Sequence, residues 1–188
     1  MKKTMYFLAV FVSIVTFYGC ASNAKAATNA NDITVSQNLD ERHFETNGAY
    51  SICPPKSWQL MEIGLKYPAI MGETKNSFTP NINFVNETVS GVSATDYIDA
   101  VIPMLETVMA EVELIHRASF TTNSNIRGEC IIIQARLNEI KVRQTMYAFL
   151  NDSKQVIYTI TCSAPLDGGE VYDAIFEESI KTFDWIQD

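Results

Sequence analysis

Residues 129–162 read ECIIIQARLNEIKVRQTMYAFLNDSKQVIYTITC, and this stretch decides the fold class. β-Branched, aromatic and other apolar residues fill it, and polar residues interrupt it twice, which is typical of short strands joined by turns. We predict strands over residues 129–136, 140–150 and 155–163. Because both connections are short, we expect the three strands to pair as an antiparallel meander.

The first of these strands is apolar on both of its faces. Its run Cys130-Ile131-Ile132-Ile133 contains no charged residue, whereas a strand with one side in water alternates between apolar and polar residues. We therefore expect this strand to lie centrally in a sheet that is covered on both sides.

An amphipathic helix is predicted ahead of the meander. Ser93 and Asp96 have the spacing of a capping box, in which the hydroxyl accepts from a first-turn amide and the carboxylate lies at the positive helix end. We predict one helix of about 18 to 20 residues, bent at Pro103, which lies on its exposed face. Its apolar stripe comprises Ile98, Val101, Ile102, Leu105, Val108, Met109 and Val112.

A second amphipathic helix is predicted after the meander. Asp167 and Glu170 are expected to cap its start. Its apolar stripe comprises Tyr172, Ile175, Phe176, Ser179, Ile180 and Phe183.

The remaining elements are predicted as strands. Asn47-Gly48 favours a two-residue hairpin turn. The predicted strands are residues 42–46, 49–53, 58–63, 65–71, 81–89 and 114–120. Strands, helix, strands and helix in this order predict an α+β fold with antiparallel pairing.

The first twenty residues carry the features of an export signal. Lys2-Lys3 precede an apolar run over residues 5–18, and Gly19-Cys20 ends it. This stretch resembles the bacterial lipoprotein signal, which implies that Cys20 receives a diacylglycerol thioether and becomes the new N-terminus. Two alternatives stay open: cleavage as an ordinary signal after Ala24-Lys25-Ala26, and an uncleaved anchor.

The chain divides into three parts on this interpretation. Residues 1–19 are the signal peptide. Residues 20–40, small and polar without periodicity, form a lipidated flexible tether. Residues 41–188 form a single domain, for which the hydrophobic fraction of 47% supplies an ample core.

The charge balance argues against nucleic acid as a partner. Without Lys2 and Lys3, 12 basic residues remain against 22 acidic ones, which gives a formal charge of −10. Phosphate recognition draws on clustered Lys and Arg, and the sequence has no such cluster. Any attachment to a membrane must then come from the lipid.

The cysteines other than Cys20 are expected to be buried thiols. Cys130 and Cys162 lie on predicted strands that a third strand separates, so their Cα atoms are roughly 9 to 10 Å apart. A disulfide needs a separation within about 7 Å. Whether Cys53 is paired stays open.

No catalytic, metal or cofactor site is predicted. His43 and His116 are the two histidines, and neither has a second histidine at helical or strand spacing. The sequence has no nucleophile elbow, no phosphate-binding glycine loop and no histidine-linked cysteine motif. We therefore expect a protein that is not an enzyme.

A partner-binding surface is predicted between residues 63 and 80. This segment is apolar without a clear period, and such a segment either folds onto the core or lies exposed as a contact surface. The residues predicted to bind a protein partner are Lys66, Tyr67, Ile70 and Phe78.

Several short patterns resemble the PsbP/Mog-like superfamily, including its bacterial DcrB-type lipoproteins. They are Cys53-Pro54-Pro55-Lys56-Ser57-Trp58, the strand starting Pro80-Asn81-Ile82, the acidic helix, the meander ending at Cys162, and Ser179-Ile180-Lys181-Thr182-Phe183. The likeness covers roughly residues 40–186. It implies an α/β/α sandwich, an antiparallel sheet flanked by helices, and a family of binding or assembly factors without enzyme activity.

The function expected from these features is that of an exported lipoprotein, anchored by lipid to a bacterial membrane and facing the periplasm or the cell exterior. It would act as a non-enzymatic binding or assembly module for a protein partner. One alternative is a carrier of a small apolar ligand, motivated by seven methionines and many aromatic residues. A hydrolytic enzyme is the least favoured alternative.

We predict that Cys20→Ala releases the domain from membranes, because a diacylglyceryl group anchors a protein stably whereas a single acyl chain does so only marginally. Fractionation of cells that express the variant should place it in the soluble fraction. A wild-type protein that is itself soluble, with its N-terminus at Ala27, would contradict lipidation.

Overall fold

Ten strands and two helices make up the computed structural model, which describes residues 39–45, 49–64 and 66–186. In chain order they are β1 (His43–Phe44), β2 (Tyr50–Ile52), β3 (Gln59–Met61), β4 (Ala69–Met71), β5 (Asn81–Thr88), α1 (Ala94–Val108), β6 (Ala110–Thr121), β7 (Arg127–Leu137), β8 (Ile140–Asn151), β9 (Val156–Pro165), α2 (Val171–Lys181) and β10 (Asp184–Trp185).

The predicted meander is confirmed. β7, β8 and β9 pair antiparallel in sequence order, within a seven-stranded sheet of order β3-β4-β5-β9-β8-β7-β6. Cys130 lies opposite Tyr147, and Tyr147 lies opposite Ile160. Each strand extends beyond its predicted range by one or two residues at one or both ends.

The position of β7 differs from the expectation. It lies next to the edge strand β6 and not at the centre of the sheet. Both of its faces are covered, as expected from its apolar sequence. Ile131 and Ile133 face α1, and Cys130 packs with the residues on the α2 side. Covering on both faces therefore extends almost to the edge of the sheet.

A layer covers each face of the large sheet. Helix α1 packs on one face through Ile98, Val101 and Leu105. Helix α2 and a three-stranded sheet of order β1-β2-β10 cover the other face, where aromatic residues dominate the core. These layers confirm the α+β class and its antiparallel sheet flanked by helices.

Helix α1 begins as predicted and ends early. The Ser93 hydroxyl accepts from the Asp96 amide at 3.1 Å, and the Asp96 carboxylate accepts from the Ser93 amide at 3.2 Å, which completes the capping box. The helix has 15 residues because the chain turns extended at Met109. The residues after Met109 instead pair with β7 as β6, so tertiary pairing overrides the helical pattern.

The start of α2 corrects the predicted cap. Glu170 precedes the helix but makes no side-chain cap hydrogen bond. The turn instead depends on glycine: Gly168 has a φ of 71°, and a Cβ on Gly169 would lie 2.1 Å from the Pro165 carbonyl oxygen. Close backbone approach therefore sets this connection.

The predicted N-terminal hairpin pairs as expected, with His43 opposite Ile52. Its turn at Asn47-Gly48 lies outside the described residues, as do the signal peptide, Cys20 and the tether up to residue 38. Strand β10, only two residues long, is too short for a sequence pattern to show. Within the described chain, neither helix has the length and apolar composition needed to cross a bilayer.

Candidate functional site

A cleft of about 400 Å³ opens beside α2, on the sheet face that this helix covers, and we call it the α2 cleft. It forms because the aromatic layer covers the inner strands, whereas most of edge strand β6 stays exposed. The cleft is lined by His116, Ala118, Ser119 and Phe120 of β6, Cys130 and Ile132 of β7, Thr145 and Tyr147 of β8, and Asp173 and Glu177 of α2.

The floor of the α2 cleft is aromatic and rigid. The rings of Phe120 and Tyr147 meet edge to face with centroids 4.7 Å apart, and Tyr147 stacks on Phe149 at 6.5 Å. The Tyr147 phenol and the Cys130 thiol hydrogen-bond to each other. Tyr147 is 2% exposed and Phe120 is half-buried, so Phe120 supplies most of the aromatic surface that the cleft presents.

One polar atom in this floor is unpaired. Thr145 is 3% exposed, and its hydroxyl Oγ1 has no hydrogen-bond partner within the described residues. Burying a hydroxyl without a partner costs about 1 to 3 kcal/mol. The Oγ1 atom is itself inaccessible, so the unpaired hydroxyl lies just beneath the surface of the cleft.

Two carboxylates from α2 form the rim. Asp173 accepts from both Nε and Nη2 of Arg143, at 3.0 and 2.7 Å, and this hydrogen bonding raises the pKa of the Arg143 guanidinium. Glu177 pairs with Lys181 one turn later at 2.6 Å, and both side chains are exposed. An exposed pair of this kind contributes little, so Glu177 can exchange its partner.

The electrostatic environment of the α2 cleft disfavours negative charge. Burial raises the pKa of the Cys130 thiol to about 12, the Tyr147 hydrogen bond opposes the shift, and the charges of Glu177 and Asp173 add to it. Burial also raises the pKa of the Tyr147 phenol. Thiol and phenol therefore stay neutral at physiological pH, which suits hydrogen bonding and not nucleophilic attack.

A second groove, of about 410 Å³, lies beside the N-terminus of α1. Two of its polar side chains share one acceptor: Thr95 and Ser119 both donate to the Glu129 carboxylate, at 3.2 and 3.3 Å. We take the α2 cleft, with its aromatic wall, as the candidate site.

The predicted partner-binding residues do not form an exposed surface, which corrects the expectation for three of the four. Tyr67 and Ile70 are 2% and 1% exposed and belong to the core on the α2 side, whereas Phe78 is 9% exposed and packs on the α1 side. Ile70 lies in β4 on the sheet face that α2 and the small sheet cover, which explains its burial. Lys66 is exposed and donates to Asn86 at 3.0 Å.

The two histidines lie in different sheets. His43 is half-buried in β1, where burial lowers its pKa, and His116 lies at the mouth of the α2 cleft. Over residues 39–45, 49–64 and 66–186, no three His, Cys, Asp or Glu residues are grouped to hold a metal ion. Lipidation of Cys20 stays a prediction.

The α2 cleft could not be located from sequence alone. Its residues come from four elements and share no motif. A partial signal exists in the polar run Arg143-Gln144-Thr145 inside a strand that is buried on both faces.

No protein-family model and no curated protein matches the sequence. Solved structures do match. Cyanobacterial PsbP (CyanoP) from Synechocystis sp. PCC 6803 is 13% identical, with 85% of this chain and 98% of that chain covered and a TM-score of 0.58.

The Ran-binding protein Mog1p of Saccharomyces cerevisiae is 12% identical, covering 81% of this chain and 97% of its own, with a TM-score of 0.56. LpqN of Mycobacterium tuberculosis, involved in cell envelope biogenesis, is 11% identical, covering 70% and 80%, with a TM-score of 0.54. This chain therefore has a PsbP/Mog1-like fold. At these identities the likeness establishes the fold alone.

We predict that Ile70→Ala lowers the free energy of unfolding by about 2 to 5 kcal/mol, because it removes a fully buried side chain and leaves a cavity. Leu60→Ala is the matched control, since Leu60 lies opposite Ile70 in the sheet but is 38% exposed. Urea unfolding measures both. Equal, small losses for the two variants would show that Ile70 is not core.

We predict that Cys130 and Cys162 resist iodoacetamide in the folded protein. At pH 8 the Cys130 thiol, with a pKa of about 12, is ionised on the order of once in 10⁴ molecules. Cys162 is fully buried, and burial raises its pKa well above the ordinary value. Mass spectrometry should find Cys53, which is half-buried, modified first, and all three modified in denaturant. A peptide that links Cys130 to Cys162 would contradict the strand order.

Proposed function

We propose that this protein is a non-enzymatic binding or assembly module that captures a protein partner at the α2 cleft. The observation that carries the proposal is an open cleft of about 400 Å³, in which Phe120 contributes an aromatic wall and Asp173 and Glu177 contribute a carboxylate rim. Surfaces that bind proteins are typically rich in aromatic residues.

Chemistry at this site supports binding over catalysis. The ionisable groups of the floor, Cys130 and Tyr147, have pKa values shifted away from the reactive forms. Asp173 is held by Arg143 and so is not available as a general base. Among the structural neighbours, Mog1p is described as Ran-binding, which favours a protein partner by analogy.

We further propose that the protein is exported and tethered to a bacterial membrane through lipidated Cys20, facing the periplasm or the cell exterior. Lys2-Lys3, the apolar run and Gly19-Cys20 support the anchor. The structural neighbour LpqN is involved in cell envelope biogenesis, which is consistent with a place in the envelope. The domain would then act as an accessory factor held at the membrane.

A carrier of a small apolar ligand is the second candidate. The size of the α2 cleft and its aromatic floor favour it, because clefts of roughly 300 to 1,000 Å³ with apolar walls hold small ligands. The rim carboxylates and the open mouth favour a protein side chain over an uncharged lipid-like ligand.

Site-specific photocrosslinking in intact cells tests the proposed function. In the test variant, benzoylphenylalanine replaces His116 at the cleft mouth. In the control variant it replaces Glu62, which is exposed beside β3 at the opposite edge of the sheet. We expect one discrete protein adduct at His116 and none at Glu62. Equal adducts at both positions, or none at His116, would contradict a partner at the cleft.

A second variant connects the adduct to the cleft itself. Ala118→Trp fills the α2 cleft and should abolish the adduct at His116, whereas Ala174→Trp, on the exposed side of α2, should leave it. Native mass spectrometry of the gently purified protein addresses the carrier alternative. A bound small molecule that Ala118→Trp displaces would favour the carrier.

A further inference from the structure

We infer that an extended segment of the partner protein binds as an added strand along His116–Thr121 of β6, which we call the open edge. Its apolar side chains would point toward the α2 cleft and its polar side chains toward the groove beside α1. The inference rests on the proposed function and names the form in which the partner binds. Three observations support it: the position of β6 in the sheet, the regular register of its C-terminal half, and the two cavities that flank this half.

The large sheet ends in two strands of unequal length. β3 has three residues and β6 has twelve, and within the described chain no strand pairs with the outer side of either. An edge strand presents a row of backbone N–H and C=O groups, and a very short edge strand is one way in which proteins prevent pairing with another chain. The length of β6 therefore leaves room for an added strand, whereas β3 does not.

Only the C-terminal half of β6 is regular. Its register with β7 shifts between Ala110 and Glu113 and again between Leu114 and His116. Such bulges bend an edge strand and hinder its pairing with a second chain. From His116 to Thr121 each residue instead lies opposite one residue of β7, and this half contains neither proline nor lysine. It is therefore the part of the edge that can accept a strand.

A cavity borders the open edge on each face of the sheet. His116, Ala118 and Phe120 line the α2 cleft, whereas Ser119 and Thr121 line the groove beside the N-terminus of α1. Successive side chains of a strand point to opposite faces, so an added strand would direct its side chains toward the two cavities in turn. Backbone hydrogen bonds along a sheet edge, combined with pockets for alternate side chains, are a recurring mode of peptide recognition.

The two cavities differ in chemistry, and this difference specifies the segment. On the α2 side Phe120 offers apolar surface, and the small Ala118 lets a side chain lean over β6 toward the cleft. On the α1 side Thr95 and Ser119 both donate to the Glu129 carboxylate, so the groove is polar. The open edge therefore fits a segment in which apolar and polar residues alternate.

The charge and sequence of this chain favour a different protein over a second copy. Two copies carry the same formal charge of −8 and repel each other. The open edge reads His-Arg-Ala-Ser-Phe-Thr, so a second copy would offer Phe120 as its one large apolar side chain. It would leave most of the α2 cleft unfilled.

Crosslinks from both faces of the open edge test the inference with the full chain in intact cells. Benzoylphenylalanine replaces His116 in one variant and Thr121, which is exposed on the α1 side, in another. We expect the same partner at both positions, crosslinked at sites about four to six residues apart, because a strand rises about 3.3 Å per residue. Mass spectrometry of the digested adducts locates both sites. Sites in separate parts of the partner's sequence would overturn the inference.

Two lysine variants, each combined with benzoylphenylalanine at His116, test pairing along the strand. Ser119→Lys places a charge in the middle of the open edge and should abolish the adduct, because edge lysines block pairing with a further strand. Glu113→Lys, at an exposed site in the bulged half, is the control and should leave the adduct. Both should keep the Tm, since both sites are exposed. Adducts that survive in both variants would overturn the inference. If Ser119→Lys lowers the Tm, Thr121→Lys takes its place.

Hydrogen exchange on the full chain, purified in detergent, tests whether the edge is open. Along an edge strand, amides bonded to the neighbouring strand alternate with amides that point outward. We therefore expect about half of the amides from His116 to Thr121 to exchange rapidly, at alternate positions. Protection of all of them would show that a second copy or the chain's own N-terminal segment already covers this edge, and would overturn the inference.

A failure of the inference is distinguishable from a failure of the proposed function. An adduct at His116 with none at Thr121 would leave the partner at the α2 cleft and remove the added strand. No adduct at either position would remove the partner site, and the inference with it.

Discussion

Burial of β8 on both faces is the constraint on which the rest of the structure depends. Every residue from Val142 to Phe149 is buried, so a layer must cover each side of the sheet. Successive side chains point to opposite faces, and a register slip of one residue would move Tyr147 from the aromatic layer to the α1 layer. The two layers therefore cover β8 and also fix its register. Because β7 and β9 pair with β8, their registers are fixed as well.

Three polar residues inside this buried strand show how the layers connect. Arg143 pairs with Asp173 and so joins β8 to α2, and removing one partner of a buried pair typically costs about 3 to 5 kcal/mol. Gln144 faces the other side and donates to Ser163 at 3.1 Å. Thr145 lines the α2 cleft, and its buried Oγ1 has no hydrogen-bond partner within the described chain. Because the Arg143 pair positions α2, it also sets how far the rim carboxylates lie from the cleft floor.

Local patterns in the sequence anticipated the elements but not their assembly. The capping box at Ser93 and the meander depend on neighbours in sequence, and both are as predicted. The predicted end of α1 was wrong, because the helix ends where β6 begins to pair with β7, and this pairing is a long-range interaction. Tyr67 and Ile70 were expected at an exposed surface because their segment has no period, but β4 lies between two strands and their side chains point into the aromatic core. The α2 cleft was missed for the same reason, since its walls meet only through the tertiary fold.

Different residues determine the layered fold and the surface of the α2 cleft. PsbP and Mog1p share the layers with this chain at 13% and 12% identity, so many side-chain sets satisfy the same two-sided burial. The cleft exists because α2 and the small sheet stop short of β6, a feature of layer geometry. The exposed side chains at its mouth and rim, His116 and Glu177 among them, are not fixed by that burial. These exposed side chains can therefore change without a change in the layers that form the cleft.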